Sequence, residues 1–205
     1  MPPPNPFDRM YEGTPPWEIG RPQRAIAELV ESGRMKPGRV LDLGCGTGEN
    51  ALLLAERGFE VVGVDAARAA VAKAHRKAGT RGINAEFLVH DALSVSALAT
   101  RFDIVLDSGF FHTLSDEGRV TYREELSNVM RPGGELFILC FSDHEPNWGG
   151  PRRVTEADLR ATFDRPFFVE SLTRTLYETI TEAGGAEAWL AAITYLGAPS
   201  SAGLN

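Results

Sequence analysis

Between Leu41 and Asn50 the chain reads LDLGCGTGEN, with glycines at 44, 46 and 48 separating an apolar run from an amphipathic one. The preceding segment, Arg39–Gly44, reads as a buried strand, and Glu49–Gly58 as a helix that Gly58 stops. A turn of this kind lets the backbone bend sharply and approach a ligand closely. The helix that follows it offers unpaired N–H groups and the positive end of its dipole. A plain strand-to-helix turn would also use glycines, so the neighbouring elements have to decide.

Those neighbours alternate. Phe59–Asp65 reads as a second strand and Ala66–Ala78 as a second helix. Ala85–Asp91 is a third strand, followed by a short helix near Ser94–Thr100. Phe102–Gly109 is a fourth strand, Gly118–Met130 a helix, and Pro132–Ser142 a fifth strand. Nearly continuous apolar strands between helices predict a parallel sheet covered on both faces, an α/β fold. Thr155, with Asp158 three residues on, predicts a capped helix over Thr155–Phe163. Phe167–Thr179 and Ala186–Leu196 read as terminal strands, although the second fits a helix equally on period alone. Before the core, Pro22–Glu31 reads as a helix, and the proline-rich first ~20 residues as an extended arm. We expect one domain over 1–205: an arm and helix (1–37) forming a lid, a core (38–196) and a flexible tail (197–205).

Of the 205 residues, 43% are hydrophobic and 24% charged, and the net charge is -7. That balance argues against a nucleic-acid partner. Cys45 and Cys140 fall in apolar or glycine-rich stretches, so free thiols and a cytoplasmic location are expected. No signal peptide and no apolar run of the roughly 20 residues a membrane helix needs is present, so no membrane partner is expected. His75, His90, His112 and His144 show no ligand spacing with the cysteines, and no metal is expected. The chain is expected to act as a monomer or homodimer.

The glycine spacing is G-x-G-x-G, with Glu49 where a dinucleotide fingerprint has its third glycine. Asp42 precedes the first glycine, Asp65 ends the second strand and Asp91 ends the third. Strand ends of a parallel sheet share one edge, where such folds bind ligands. With VLDLGCGTG, VVGVD, FDIVLD and RPGGELFIL, the chain resembles the class I S-adenosylmethionine-dependent methyltransferases over roughly Val40–Phe141. The resemblance implies a Rossmann-like, seven-stranded, mostly parallel sheet with its last strand antiparallel. Its cofactor would be S-adenosyl-L-methionine, leaving S-adenosyl-L-homocysteine. Gly44, Cys45, Gly46 and Gly48 would pass beside the methionine and ribose, with Thr47, Asn50 and Asp107 also in contact. Asp65 would bind the ribose hydroxyls and Ala66 lie along the adenine. Asp91 would meet the adenine amino group, with Ala92 and Leu93 beside the ring.

The segment PPWEIGRPQ (Pro15–Gln23) is similar to one in thiopurine methyltransferase relatives and in methyltransferases of small heterocycles and tellurite. It implies that Trp17 packs near cofactor and substrate and that Arg21 pairs with the cofactor's carboxylate. Trp17 packing on the sheet's outside and Arg21 as a solvated charge are the competing readings. After the fourth strand no N/D-P-P-Y/F stretch occurs; the chain has Asp107-Ser108-Gly109-Phe110, which argues against amide or adenine amino acceptors. Phe111 is a candidate substrate wall or core residue. His112 is a candidate general base, or else bonds the backbone. Trp148, Arg152 and Arg153 in the loop Pro146–Arg153 are candidate substrate contacts or surface groups, and Phe7, Tyr11 and Trp17 can close over the opening. The expected activity is methyl transfer to oxygen, nitrogen or sulfur of a small heteroaromatic molecule, in detoxification or secondary metabolism. A thiopurine-like thiol, tellurite or a quinone precursor is the alternative acceptor. A non-catalytic cofactor-binding protein and an NAD-dependent dehydrogenase are the rivals from other classes.

Overall fold

The computed structural model describes residues 6–181 and 184–197. Seven strands form one sheet: β1 (Arg39–Leu43), β2 (Glu60–Asp65), β3 (Glu86–Val89), β4 (Phe102–Ser108), β5 (Met130–Phe141), β6 (Phe167–Tyr177) and β7 (Ala186–Tyr195). Their order is β3-β2-β1-β4-β5-β7-β6. The pairs among β1 to β5 are parallel, whereas β7 runs antiparallel to both β5 and β6. The last strand is therefore the reversed one, and Ala186–Tyr195 is a strand rather than a helix. Its burial explains the ambiguity. Seven of its ten residues are buried, so period-two alternation is lost.

Helices cover both faces. α2 (Arg24–Glu31), α3 (Glu49–Glu56) and α4 (Arg68–Arg81) bury Ile26, Leu52, Leu54 and Val71 against one side. α5 (Asp116–Val129), α6 (Glu156–Thr162) and the 3-10 segment Ala92–Leu98 cover the other with Tyr122, Leu126, Leu159 and Val95. The Thr155 hydroxyl accepts from the Asp158 amide while the Asp158 carboxylate accepts from the Thr155 amide, the capping arrangement read from the sequence. The arm differs from expectation. It is not wholly extended, because Pro6–Met10 forms one helical turn, α1. The expected flexible tail lies outside the described residues except for Gly197. Among described residues, no helix is long and apolar enough to cross a membrane.

The glycine turn is held by a ring from β3. A Cβ at Gly48 would lie 2.8 Å from the Phe87 ring, and one at Gly63 of β2 also 2.8 Å from it. Phe87, 2% exposed, thus fills the hollow that two absent side chains leave. Gly48 also has φ +85°, a region that disfavours side chains. Gly58 shares a positive φ of +86° but has nothing within 4 Å of its Cβ position. Gly48→Ala should therefore cost about 2–4 kcal/mol by urea denaturation, from φ strain plus overpacking. Gly58→Ala should cost about 1–2 kcal/mol, and equal losses would remove the Phe87 contact from the explanation.

Candidate active site

The strand ends that the sequence places on one edge come together around the glycine turn. Asp65, ending β2, accepts from the Gly46 amide at 2.9 Å and the Ala67 amide at 2.7 Å. Burial nevertheless pushes its carboxyl upward, against those two donors. Asp91, after β3, accepts from the Leu93 amide at 2.9 Å and so starts the 3-10 segment, with Ala92 buried behind it. Asp42 is 1% exposed. The Ala51 amide at the start of α3 pulls its pKa down, but among the described residues its Oδ2 has no hydrogen-bond partner. Burial raises its pKa well above the ordinary range, and the nearby Asp107 and Asp65 raise it further.

The arm closes this edge. Tyr11 is 4% exposed, and its hydroxyl accepts from Trp17 Nε1 at 2.9 Å. A Cβ at Gly46 (φ +56°) would lie 2.8 Å from that hydroxyl, so the ring rests directly on the turn. Phe7 and Tyr11 both meet Trp17 edge-on, at 6.2 and 6.3 Å. Glu18 bonds the Thr47 hydroxyl and lies 3.4 Å from Lys77 Nζ, which itself reaches Glu49 at 2.8 Å. Asn50 Oδ1 accepts from the Gln23 amide at 3.0 Å. Trp17 thus lines the cleft beside the glycine turn.

Arg21 differs from its expected placement. Its guanidinium makes two 2.8 Å bonds to the Glu178 carboxylate just beyond β6. Arg21, with the Arg24 amide, holds Glu178 down at about 2. Gln23 exchanges side-chain bonds with the Glu178 backbone at 2.9 and 2.8 Å, and the Ile180 amide donates to Pro16 O at 2.8 Å. Glu178 gave no signal in the sequence, since its partner lies 157 residues away.

The segment after β4 also departs from expectation. Asp107 points into the core, 0% exposed, and not toward the turn. It accepts from the amides of Phe110 (2.9 Å) and Phe111 (3.1 Å) and from the Tyr122 hydroxyl (2.8 Å). Burial outweighs these donors and lifts its pKa to about 6. Phe111 is core, 0% exposed and in ring contact with Tyr122 and Phe163. His112 is 4% exposed, and its Nδ1 accepts from the Phe141 amide at 3.0 Å. Burial, with Arg153 and Arg119 nearby, drives its pKa down to about 3, so it is a buried neutral imidazole and not an open-pocket base. Arg153 stacks over Trp148 (4.8 Å) and Phe141 (5.3 Å) while bonding carbonyls of its own loop. Arg152 pairs with Asp116 at 2.7 Å. Trp148 is 55% exposed. Sequence reasoning missed Tyr177, whose ring meets His112 (5.9 Å) and Phe141 (5.4 Å), and Ser108, whose Oγ has no partner among the described residues. Cys45 and Cys140 are free thiols. No metal-holding group of side chains occurs among described residues.

Comparison with known proteins fits this geometry. A family model described as a methyltransferase domain matches residues 40–134. The 2-heptyl-1-hydroxyquinolin-4(1H)-one methyltransferase of Mycobacteroides abscessus is 37% identical over 82% of this chain and 78% of its own. The chain belongs to the class I S-adenosylmethionine-dependent methyltransferases. A solved structure from work on the conversion of a disulfide bond into a thioacetal group during echinomycin biosynthesis matches this methyltransferase with TM-score 0.83 and 33% identity. It covers 92% of this chain and 91% of that one. Magnesium protoporphyrin IX methyltransferase from Synechocystis, with S-adenosylmethionine bound, shares the fold at TM-score 0.65 and 21% identity, over 92% of this chain and 79% of that one. The site of this methyltransferase fits its cofactor. The turn is a cradle free of side-chain bulk at three positive-φ glycines, and two residues before it the buried Asp42 Oδ2 has no partner among the described residues.

Asp107 supplies a test of the buried wall. Its folded pKa of about 6 lies above the ordinary carboxyl value of 3.8, so the folded state holds the proton more tightly. Ionisation therefore opposes folding by roughly 3 kcal/mol at pH 7, and that penalty fades as pH falls from 6 to 4. Asp107→Asn keeps an acceptor for both amides. It should be about 1–3 kcal/mol more stable than wild type at pH 7 and lose that advantage by pH 4. Urea midpoints at four pH values measure this, and a pH-independent difference would contradict it.

Proposed function

We propose that this methyltransferase transfers a methyl group from S-adenosylmethionine to oxygen, nitrogen or sulfur of a small heteroaromatic molecule. The observation that carries the substrate class is the aromatic cluster beside the end of β4, where Phe141 meets the His112, Tyr177 and Trp148 rings and Tyr177 lines the cleft. Aromatic linings of that kind take up flat, apolar ligands. The likeness to a hydroxyquinolinone methyltransferase supports the same reading. The cofactor would supply an activated methyl group on a sulfonium, which leaves the protein to bind, align and exclude water.

In this reading the Gly44–Gly48 turn, whose Cys45, Gly46 and Gly48 amides are spent on holding its own shape, passes beside the methionine end of the cofactor together with the Asp42 carboxyl. Asp65 holds the ribose hydroxyls. Ala66, Asp91, Ala92 and Leu93 hold the adenine, while Cys45, Thr47 and Asn50 shape the turn. Tyr11, Trp17 and Phe7 cover the cleft, and Arg21 latches the arm to Glu178. His112 acts as a positioning residue: it fixes the end of β5 through the Phe141 amide and supports the rings around it. Arg153 braces Trp148. Asp107 sets the turn that carries Phe110.

Incubation with S-adenosylmethionine and a panel of heteroaromatic hydroxyls, amines and thiols, read by mass spectrometry, should give singly methylated products. Products from tellurite alone would sink the heteroaromatic reading. Asp65→Ala should weaken S-adenosylhomocysteine binding by more than tenfold, since a charge-assisted bond contributes roughly 1.5–3 kcal/mol; unchanged calorimetric affinity would count against the ribose role. Removing residues 1–21 should abolish turnover while the core still melts cooperatively. Retained activity would reduce the arm to packing.

A further inference from the structure

The acid–base groups at the β4 end of the cleft are already engaged. Both Asp107 oxygens accept hydrogen bonds, and His112 Nδ1 is held by the Phe141 amide. Glu145 accepts from Trp148 Nε1 at 2.6 Å and from the Glu187 amide at 2.8 Å. Glu178 is bound by Arg21, and Glu18 by Thr47 and Lys77. The Tyr11 hydroxyl sits at the glycine turn under Trp17; at the end of β4 itself, two hydroxyls remain among the described residues. Ser108 Oγ is enclosed and has no partner among the described residues. Among the described residues, Tyr177 Oη has a single hydrogen bond, to the Ser108 carbonyl at a long 3.4 Å. Both residues line the cleft with Trp17 and the glycine turn. A Cβ at Gly109 would lie 2.5 Å from Tyr177 Oη, so the missing side chain there is what admits the phenol to this end of the cleft.

We propose that Ser108 and Tyr177 donate two hydrogen bonds to the attacking atom of the acceptor, and that the acceptor is bound as the anion of an acidic aromatic hydroxyl or thiol. This rests on the proposed function and narrows its substrate class. Burial pushes the Tyr177 phenol upward, which keeps it a donor and not a base. An anionic acceptor explains a site without a free base. Its lone pair forms the new bond to the methyl carbon, the carbon–sulfur bond of the methyl donor breaks, and the electron pair stays on sulfur. No proton leaves, so no general base is needed. Two hydroxyl donors in an enclosed site are suited to stabilise such an anion.

The test uses the full chain with S-adenosylhomocysteine bound and 4-nitrothiophenol as probe, because the thiolate is coloured. Spectrophotometric titration should show the bound probe's pKa lowered by about one unit, as expected for charge-assisted bonds. Tyr177→Phe and Ser108→Ala should each reverse most of that shift and lower kcat/KM for the probe at least tenfold. Melting temperature and S-adenosylhomocysteine affinity should stay at wild-type values, since Phe keeps the ring packing and Ser108 Oγ has no bond to lose. A bound probe with unchanged or raised pKa overturns the anionic acceptor, as does failure of the probe to bind. Variants that ionise and methylate the probe like wild type overturn the two donors. Methylation of the panel's neutral amines in any of these cases leaves the methyltransferase reading standing. An unmethylated panel defeats that reading separately.

Discussion

The Phe87 ring under the glycine turn is the contact on which the ligand edge depends. It comes from β3, an edge strand, and lies where side chains at Gly48 and Gly63 would otherwise be. The turn is thereby seated on β2, and the Cys45 amide donates to Val64 O at 3.0 Å to fix its height. Once the turn is seated, its amides, the start of α3 and Asp65 share one small region. Adding a side chain at either glycine disturbs all three together, because close-packed interiors transmit strain.

Electrostatics at this edge follow from enclosure. Asp42, Asp65 and Asp107 are all raised, and burial is the first cause in each. Among the described residues no cation is paired with Asp42 or Asp65, and two such carboxyls favour a positively charged occupant, whereas Asp107 is turned into the core. Glu49 shows the contrast. Lys77 and Arg81 hold it below its ordinary range although burial opposes them, and it serves to fasten α3 to α4. Acids of one type on neighbouring turns thus divide between a binding role and a structural one according to the cations within reach.

Much of this was legible in the sequence. Apolar strands alternating with helices gave the doubly covered sheet, G-x-G-x-G gave the cradle, and Thr155 with Asp158 gave a cap. What was not legible has one physical source. Inside a strand buried on both faces, apolar residues fill both sides, so nothing in FDIVLDSG says that Asp107 turns toward Tyr122 while Ser108 turns toward the cleft. Arg21 and Glu178 are separated by 157 residues, and local pattern carries no information about such a pair. His112 and Tyr177 depend equally on the packing of β5 beside β7 and β6. The site was readable where it is built from neighbours in sequence and opaque where it is built from neighbours in space.

The fastening of the arm to the segment after β6 bears on how the protein is made. The arm leaves the ribosome before the core, yet Glu178 and Ile180, which hold it, emerge after the core. Domains gain structure from the N-terminus as the chain grows. A nascent chain that has reached β5 already has the strands and glycine turn of the cradle, but Tyr11 and Trp17 still lack the latch that holds them over it. The latch forms only after β6 has been made, and the reversed strand then slots between β5 and β6. A stalled or truncated chain would carry the binding edge open, with aromatic rings exposed for chaperones to recognise.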